Sequence, residues 1–344
     1  MGHMKKYICP MCKKTDQVIR YGYRKKVLRF LCKACAKHFS VNTSYLPRKA
    51  LLNDHLNGFS FRVLGEKYGI SKSYAWEICH EELTNLPDNN VFSHQFCNRF
   101  TSTLVVDGKY IRVKGYARKI ALLWGIDYFT HDIPAFVLAP SENTQSWSKY
   151  FAYFRIFSHR PELLVCDDNI NIKVAAKNCF PAVKIQTCMN HLKENMRRTL
   201  NVRNDSTYRE VFTRLDTILS QKQNDQIRNK RLFSLVRDYQ SDPLVTSLLI
   251  SLHRESQEHI AYRNIKNAPL TTNIIECYNS HLEARLFPLK GFESYAHAKL
   301  WMNGYILKRR FTKLADCSRK FHYLTGCRPI DKTKKIQTVL PVLF

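Results

Sequence analysis

The sequence predicts an α/β protein built in several parts: a mixed five-stranded sheet carrying an all-helical insertion, preceded by a small zinc ribbon and a helix-turn-helix. Three observations carry that expectation. Two matched Cys-x-x-Cys pairs flank an alternating, hairpin-like stretch near the N-terminus. Short apolar runs alternate with helical patterns between residues 100 and 192. A long stretch of helical periodicity without strand signals then separates that region from one further helix.

Composition narrows the function classes before any motif is read. The 344 residues suffice for two or three domains, and 44% hydrophobic content is ordinary for chains that bury a core. Lys and Arg number 55 against 28 Asp and Glu, a formal charge of +27, which exceeds what solubility requires. A polyanionic partner, nucleic acid, explains that excess; a generically basic surface is the other reading. No apolar run reaches the roughly 18 to 20 residues of a membrane span, and the N-terminus lacks the apolar stretch of a signal peptide. No membrane role is expected, and the place of action would be the cytoplasm, with the nucleoid, in a prokaryote or the nucleus in a eukaryote. Met1 to Met4 read MGHM, the look of an added expression leader, so His3 carries no weight as a ligand. Of twelve cysteines only four are tightly paired, a usage that fits a reducing compartment.

The first part spans residues 5–45. Cys9 and Cys12 (CPMC) and Cys32 and Cys35 (CKAC) supply four thiolates from two tight turns, the donor set of a closed structural Zn²⁺ site with no position left for catalysis. So small a fold needs the metal for much of its folding free energy. Arg20, Arg24, Lys25, Lys26 and Arg29 cluster on the intervening hairpin, placed to meet phosphates or else to form a solvated face.

Residues 46–86 follow a three-helix pattern. PRKALLNDHL ends at Gly58, Ser60 caps a short helix to Tyr68, Gly69 and Ile70 make the turn, and Ser71 caps the next helix. Two short helices about a Gly turn are the helix-turn-helix pattern, although any tight three-helix bundle can mimic it. In the DNA-reading version Ser71, Lys72, Ser73 and Tyr74 face base edges in a major groove. LPDNN, from Leu86 to Asn90, reads as the turn-rich close of the module.

The catalytic part is expected over 100–192 and 269–312. TSTLVVDGKYIRVKG reads as a strand with Asp107 at its end; RKIALLWGIDYFT and IPAFVLAP as two more strands; SWSKYFAYFRIF as a helix; PELLVCDD as a strand ending at Asp167; NIKVAAKNCF as a helix; and AVKIQTC as a fifth strand. This is the strand order of an RNase H-like domain, in which the first and fourth strands are neighbours. Carboxylates at their ends repel unless a cation neutralises them, so the pair marks a metal site. TTNIIECYNSHLEARL supplies a third acid, Glu276, from a helix. Asp168 competes with Asp167, which directly ends the apolar run, and Glu283 competes with Glu276 from a similar face two turns on.

These motifs resemble the DDE transposases of the IS256 and Mutator-like superfamily. In that family the first acid lies in a strand followed by a short basic segment, as in VVDGKYIRVKG. A Cys-x-x-His motif follows the second acid, as Cys188 and His191 do about 20 residues after Asp167, and the Glu lies in TTN-x-x-E-x-x-N, matched from Thr271 to Asn279. The resemblance covers roughly Thr101 to Phe311. One departure stands out: the family usually has Gly after the second acid, where this chain has Asp168. The resemblance implies a helical insertion over 193–268, which the patterns of YREVFTRLDTILSQKQ and DPLVTSLLISLHRESQEH support. It also implies that Cys188 and His191 lie near the active site; by themselves they read as a buried Cys and a hydrogen-bonded His.

The mechanism expected of such a chain has Asp107, Asp167 and Glu276 bind two Mg²⁺ (or Mn²⁺) ions about 4 Å apart for cleavage and strand transfer. Partners implied are double-stranded DNA, both the terminal repeats of an element and the target, with a homodimer or larger assembly to join two ends. The segment 313–344 continues a basic run that includes Lys308, Arg309, Arg310, Lys313, Arg319, Lys320, Lys332, Lys334 and Lys335 and is expected to touch phosphates. A DNA-binding regulator descended from a transposase, and an RNase H-like nuclease without strand transfer, are the competing readings.

Overall fold

The computed structural model describes residues 7–24, 27–40, 46–220 and 225–344, and the chain divides into two compact units, Met1–Ala50 and Leu51–Phe344. The first unit holds three antiparallel strands in the order β1 (Val18–Arg24), β2 (Val27–Cys32), β3 (Lys37–Ser40). Phe30 is its buried apolar centre and lies 5.7 Å from the Phe39 ring.

Helices lead into the second unit. They are α1 (Arg48–Leu56), α2 (Phe61–Tyr68), α3 (Lys72–Thr84) and α4 (Asn89–Phe96). The Ser60 and Ser71 hydroxyls cap α2 and α3 by accepting from the backbone N–H groups of Val63 and Tyr74. Gly69 takes φ +65° between them, a conformation that costs a residue with a Cβ far more. The structure corrects the reading of LPDNN in one respect. The chain breaks at Pro87, but the Asp88 carboxylate accepts from the N–H groups of Asn90 and Val91 and starts α4.

The central sheet is mixed and five-stranded, as the sequence predicts. Its strands are β4 (Thr103–Ile111), β5 (Ile120–Asp127), β6 (Phe136–Ala139), β7 (Leu163–Cys166) and β8 (Lys184–Thr187), in the order β6-β5-β4-β7-β8. β4 pairs antiparallel with β5 and parallel with β7; β5 pairs antiparallel with β6, and β7 parallel with β8. Hence β4, β6, β7 and β8 all run the same way and end on one edge. Strand alternation sorts the side chains into two cores. Leu104, Val106, Ala121 and Leu123 pack against α5 (Thr144–Ile156) and α6 (Ile170–Cys179).

Val105, Leu122, Trp124 and Ile126 face the other way, into a core shared with α1, α3 and two helices from late in the chain. In sequence, a helical segment with its own apolar core separates the sheet from those helices: α7 (Met189–Thr199), α8 (Arg209–Ser220), α9 (Asp225–Asp238), α10 (Pro243–Arg254) and the short α11 (Ser256–Ile260). The expected start of the insertion at residue 193 falls inside α7. The chain then returns as α12 (Asn273–Leu286) and α13 (Tyr295–Phe311), which cover the second face of the sheet, and ends beyond α14 (Pro329–Thr333).

The structure revises two expectations. Asp107 is not at the end of its strand: pairing with β7 stops at Val105, but pairing with β5 continues to Ile111. The C-terminal segment is folded back, and Arg310 cannot reach phosphate, because it is fully buried. Its guanidinium donates to both Asp132 oxygens (2.7 and 2.8 Å), to Asn89 Oδ1 and to Ser93 Oγ. A charge so placed serves packing, since leaving either partner alone would cost several kcal/mol (roughly 3–5).

Candidate active site and metal centre

Four cysteines gather in the first unit: the ligand atoms of Cys9, Cys12, Cys32 and Cys35 all lie within 4.8 Å of one another. Cys9 Sγ is 3.6 Å from Cys35 Sγ, and Cys12 Sγ is 3.5 Å from Cys32 Sγ. Tetrahedral zinc with Zn–S of about 2.3 Å places sulfurs about 3.8 Å apart, so this cluster could hold zinc with little adjustment. Arg20 and Arg24 are exposed on β1, and Arg29 on β2 has its guanidinium 5.8 Å from the Tyr21 ring centroid. Lys25 and Lys26 lie outside the described residues. In the second unit Ser71, Lys72, Ser73 and Tyr74 occupy the exposed first turn of α3, with Tyr74 47% accessible.

The second site lies where the parallel pairing of β4 with β7 stops and β7 and β8 end, the edge at which α/β sheets commonly bind ligands. Asp107 shares the alternation of Val105 and so faces α12. There the Asn279 side-chain amide donates to Asp107 Oδ2 (2.6 Å) while its oxygen accepts from the Trp124 indole N–H (3.1 Å), tying α12 to β4 and β5. The Gly108 N–H donates to the other Asp107 oxygen. Asp167 directly follows β7, and its Oδ1 is buried without a hydrogen-bond partner. Asp168, its competitor from the sequence, is paired with Lys173, which also bonds Glu258. Glu283, the other competitor, is exposed and paired with Lys109 (2.8 Å).

Glu276 lies in the first turn of α12. The Thr272 hydroxyl is 2.7 Å from Glu276 Oε1, 3.1 Å from Cys188 Sγ and 3.4 Å from His191 Nδ1, and its single proton serves one of them at a time. The backbone N–H of Thr272 also donates to Cys188 Sγ. Cys188 follows β8, where its own N–H donates to the Cys166 carbonyl, so α7 starts beside β7. Ligand atoms of Cys188, His191 and Glu276 all lie within 4.8 Å of one another. Asp107, Asp167 and Glu276 do not form such a set among the described residues; His191 connects them, a charge neighbour of all three.

Electrostatics follow from that crowding. Burial first, then the Asp167 and Glu142 charges, push the Asp107 carboxyl up to about 7. Burial and then Glu142 also raise Asp167. The hydrogen bond with Cys188, against the cost of burial, raises His191 to about 9, with Glu276 and Asp167 adding to it. Burial alone would raise the Cys188 thiol; hydrogen bonds from His191 and Thr272 leave it lowered instead. At neutral pH the imidazole is therefore a cation amid acids that repel one another.

Sequence reasoning missed Glu142. It lies between β6 and α5, and its charge reaches both Asp107 and Asp167. The available signal was directional: Glu142 follows a strand that runs parallel to β4 and β7, as Asp167 does.

The profile of the family described as "Transposase, Mutator family" matches residues 61–292, more than half of the chain and the whole span from α2 through α12. This chain belongs to the Mutator family of transposases. Among its relatives is the transposase for insertion sequence element IS256 in transposon Tn4001 of Staphylococcus aureus, 23% identical over 253 residues that cover 69% of this chain. The protein of the same description from Enterococcus faecalis (strain ATCC 700802 / V583) matches with the same identity and coverage. The chain spans 63% of the length of these curated relatives. A solved structure, the cryoEM structure of simian T-cell lymphotropic virus intasome in complex with PP2A regulatory subunit B56 gamma, matches 60% of this chain and 68% of its own at 15% identity. Its TM-score of 0.23 is too low to bear on the fold. No helix among the described residues is long and apolar enough to cross a membrane.

Proposed function

We propose that this Mutator-family chain is an insertion-sequence transposase that binds the ends of its element and cleaves and joins DNA at an RNase H-like domain, with Asp107, Asp167 and Glu276 as the acids. One observation carries the reading. His191, 4.0 Å from Glu276, is also a charge neighbour of Asp107 and Asp167, and those two are raised by burial and by the charges of nearby acids, a strain that a divalent cation relieves. The strand order β6-β5-β4-β7-β8 and the helical segment between β8 and α12 support the RNase H-like assignment.

The residues present fit Mg²⁺ or Mn²⁺. Asp167 Oδ1 is a buried acceptor without a partner, and carboxylate oxygens are the ligands these hard cations take. Asp107, Asp167 and Glu276 would hold the ions, which when bound supply charge to activate an attacking oxygen and to stabilise the leaving oxygen of a phosphodiester. The protein's own part is positioning. Asn279 fixes one Asp107 oxygen, Thr272 restrains Glu276, and Cys188 holds the His191 imidazole beside Glu276. Such pre-set geometry shortens the search for a reactive arrangement at each step.

DNA would be gripped elsewhere as well. The zinc-bearing hairpin with Arg20, Arg24 and Arg29 offers phosphate contacts, and the exposed first turn of α3 offers Ser71, Lys72, Ser73 and Tyr74 to base edges. Joining two ends calls for a dimer or larger assembly on DNA. The test is a strand-transfer assay with a pre-cleaved 3′-hydroxyl end and plasmid target in Mg²⁺. Joined products that vanish in D107N, D167N and E276Q are expected; fragments without joining would make the chain a nuclease, and binding without either would leave only a regulator.

A further inference from the structure

Gly108, directly after Asp107, has no conventional reason to be glycine, because its backbone is ordinary β-strand with no positive φ. The reason lies across the sheet edge. A Cβ at Gly108 would stand 2.5 Å from Glu142 Oε2 and 2.8 Å from Glu142 Oε1, so the carboxylate of Glu142 occupies the space where a side chain would be. Three donors fix it there. The Tyr110 hydroxyl donates to Oε2 (2.8 Å), and the Trp147 indole N–H (3.1 Å) and the Asn169 side-chain amide (2.9 Å) donate to Oε1. None of the three donors is a cation, and among the described residues Glu142 takes part in no ion pair.

We infer that Glu142 is a fourth acid of the divalent-cation site, a positioning residue whose fixed negative charge beside Asp107 and Asp167 strengthens cation binding. It rests on the reading of Asp107, Asp167 and Glu276 as cation ligands. Three of the roughly four acceptor positions of its carboxylate are already used by protein donors, so Glu142 acts through charge more than through coordination. Its donors are neutral, so they fix the carboxylate in place and add no positive charge beside it. Such placement is unfavourable for the empty site and favourable once a dication is present. It also explains the Asp-Gly pair of the VVDG segment: the acid needs a neighbour with no side chain so that a second acid can approach.

The test is Mn²⁺ binding to the full chain, with its zinc retained, followed by the loss of the free Mn²⁺ paramagnetic resonance signal. Glu142→Gln keeps the shape and can still accept at Oε1, so its melting temperature without Mn²⁺ should equal or exceed that of the parent. Its Kd for Mn²⁺ should rise about tenfold or more, the size expected when a unit charge is removed within several ångströms of a dication at intermediate dielectric. Gly108→Ala, which displaces the same carboxylate without replacing any acidic residue, should weaken Mn²⁺ binding in the same direction, and should add little in a Glu142→Ala background. A parental Kd in E142Q together with a weakened one in D107N would overturn the role of Glu142 alone. A parental Kd in both would overturn the cation site itself. A lowered melting temperature in E142Q with an unchanged Kd would make Glu142 purely structural, and would also overturn the inference.

Discussion

Replacing Asp107 by Asn should stabilise the cation-free protein while abolishing its response to magnesium. Burial, followed by the Asp167 and Glu142 charges, raises this carboxyl from 3.8 to about 7. In the unfolded chain it ionises near the ordinary value, so between about pH 4 and 7 the folded state binds more proton than the unfolded state. Stability therefore falls as pH rises through that window, and the full penalty applies above about pH 7. Raising a pKa from 3.8 to about 7 corresponds to about 4 kcal/mol, which partial solvent access and relaxation reduce to about 2–3 kcal/mol. Asn keeps one of the two acceptors now used by Asn279 and Gly108, so about 1 kcal/mol is given back. The remainder, about 1–2 kcal/mol, should raise the melting temperature by roughly 2 to 5 °C at pH 7.5. Circular dichroism melts of the full chain in magnesium-free buffer, from pH 5 to 8 with zinc in place, would read it. The parent should lose stability with rising pH more steeply than D107N, and Mg²⁺ should raise the melting temperature of the parent only. A variant less stable than the parent at pH 7.5, or one equally stabilised by Mg²⁺, would refute the reasoning.

Other consequences can be measured independently. Arg310→Met leaves Asp132 buried without its partner and should cost about 3–5 kcal/mol in urea unfolding; a loss below about 1 kcal/mol would mean that the pair does not anchor the interior. Cys12→Ser should abolish bound zinc, by atomic absorption, while the circular dichroism of the helical remainder persists; retained zinc would exclude the four-cysteine centre. Asn279→Ala frees one Asp107 oxygen and should slow strand transfer roughly ten- to a hundredfold at unchanged affinity for element-end DNA, so an unaltered rate would remove it from the positioning set. Binding to DNA should weaken by roughly three orders of magnitude or more between 50 and 200 mM salt if at least six phosphates are contacted, and a flat salt dependence would deny the basic surface that role.

Much of the architecture was legible because local chemistry and long-range packing agree. Ser60, Gly69 and Ser71 punctuate α2 and α3 with side chains that fulfil the roles their types suggest. Apolar runs such as LLVC and IALLWGID are buried along their whole length and have no competing helical period. Legibility failed where a partner far along the chain decides. Arg310 looks like one more cation in a basic run until Asp132, 178 positions earlier, is found enclosing it. Asp88 looks like a turn residue because α4 behind it is short and its apolar face meets α13 and α14 only after folding. Glu142 carries no motif and no period; only the parallel run of β6 with β4 and β7 brings it to Gly108. The Cys188–His191 motif was visible, but its link to Glu276 through Thr272 needed α12 to return after the whole helical segment.

Anomalous scattering from crystals of the full chain soaked in Mn²⁺ tests the central claim most directly. Peaks coordinated by Asp107 and Asp167, with Glu276 at one of them, are expected. Peaks confined to Cys188 and His191, or no peak within coordination distance of Asp107, would contradict a shared carboxylate site.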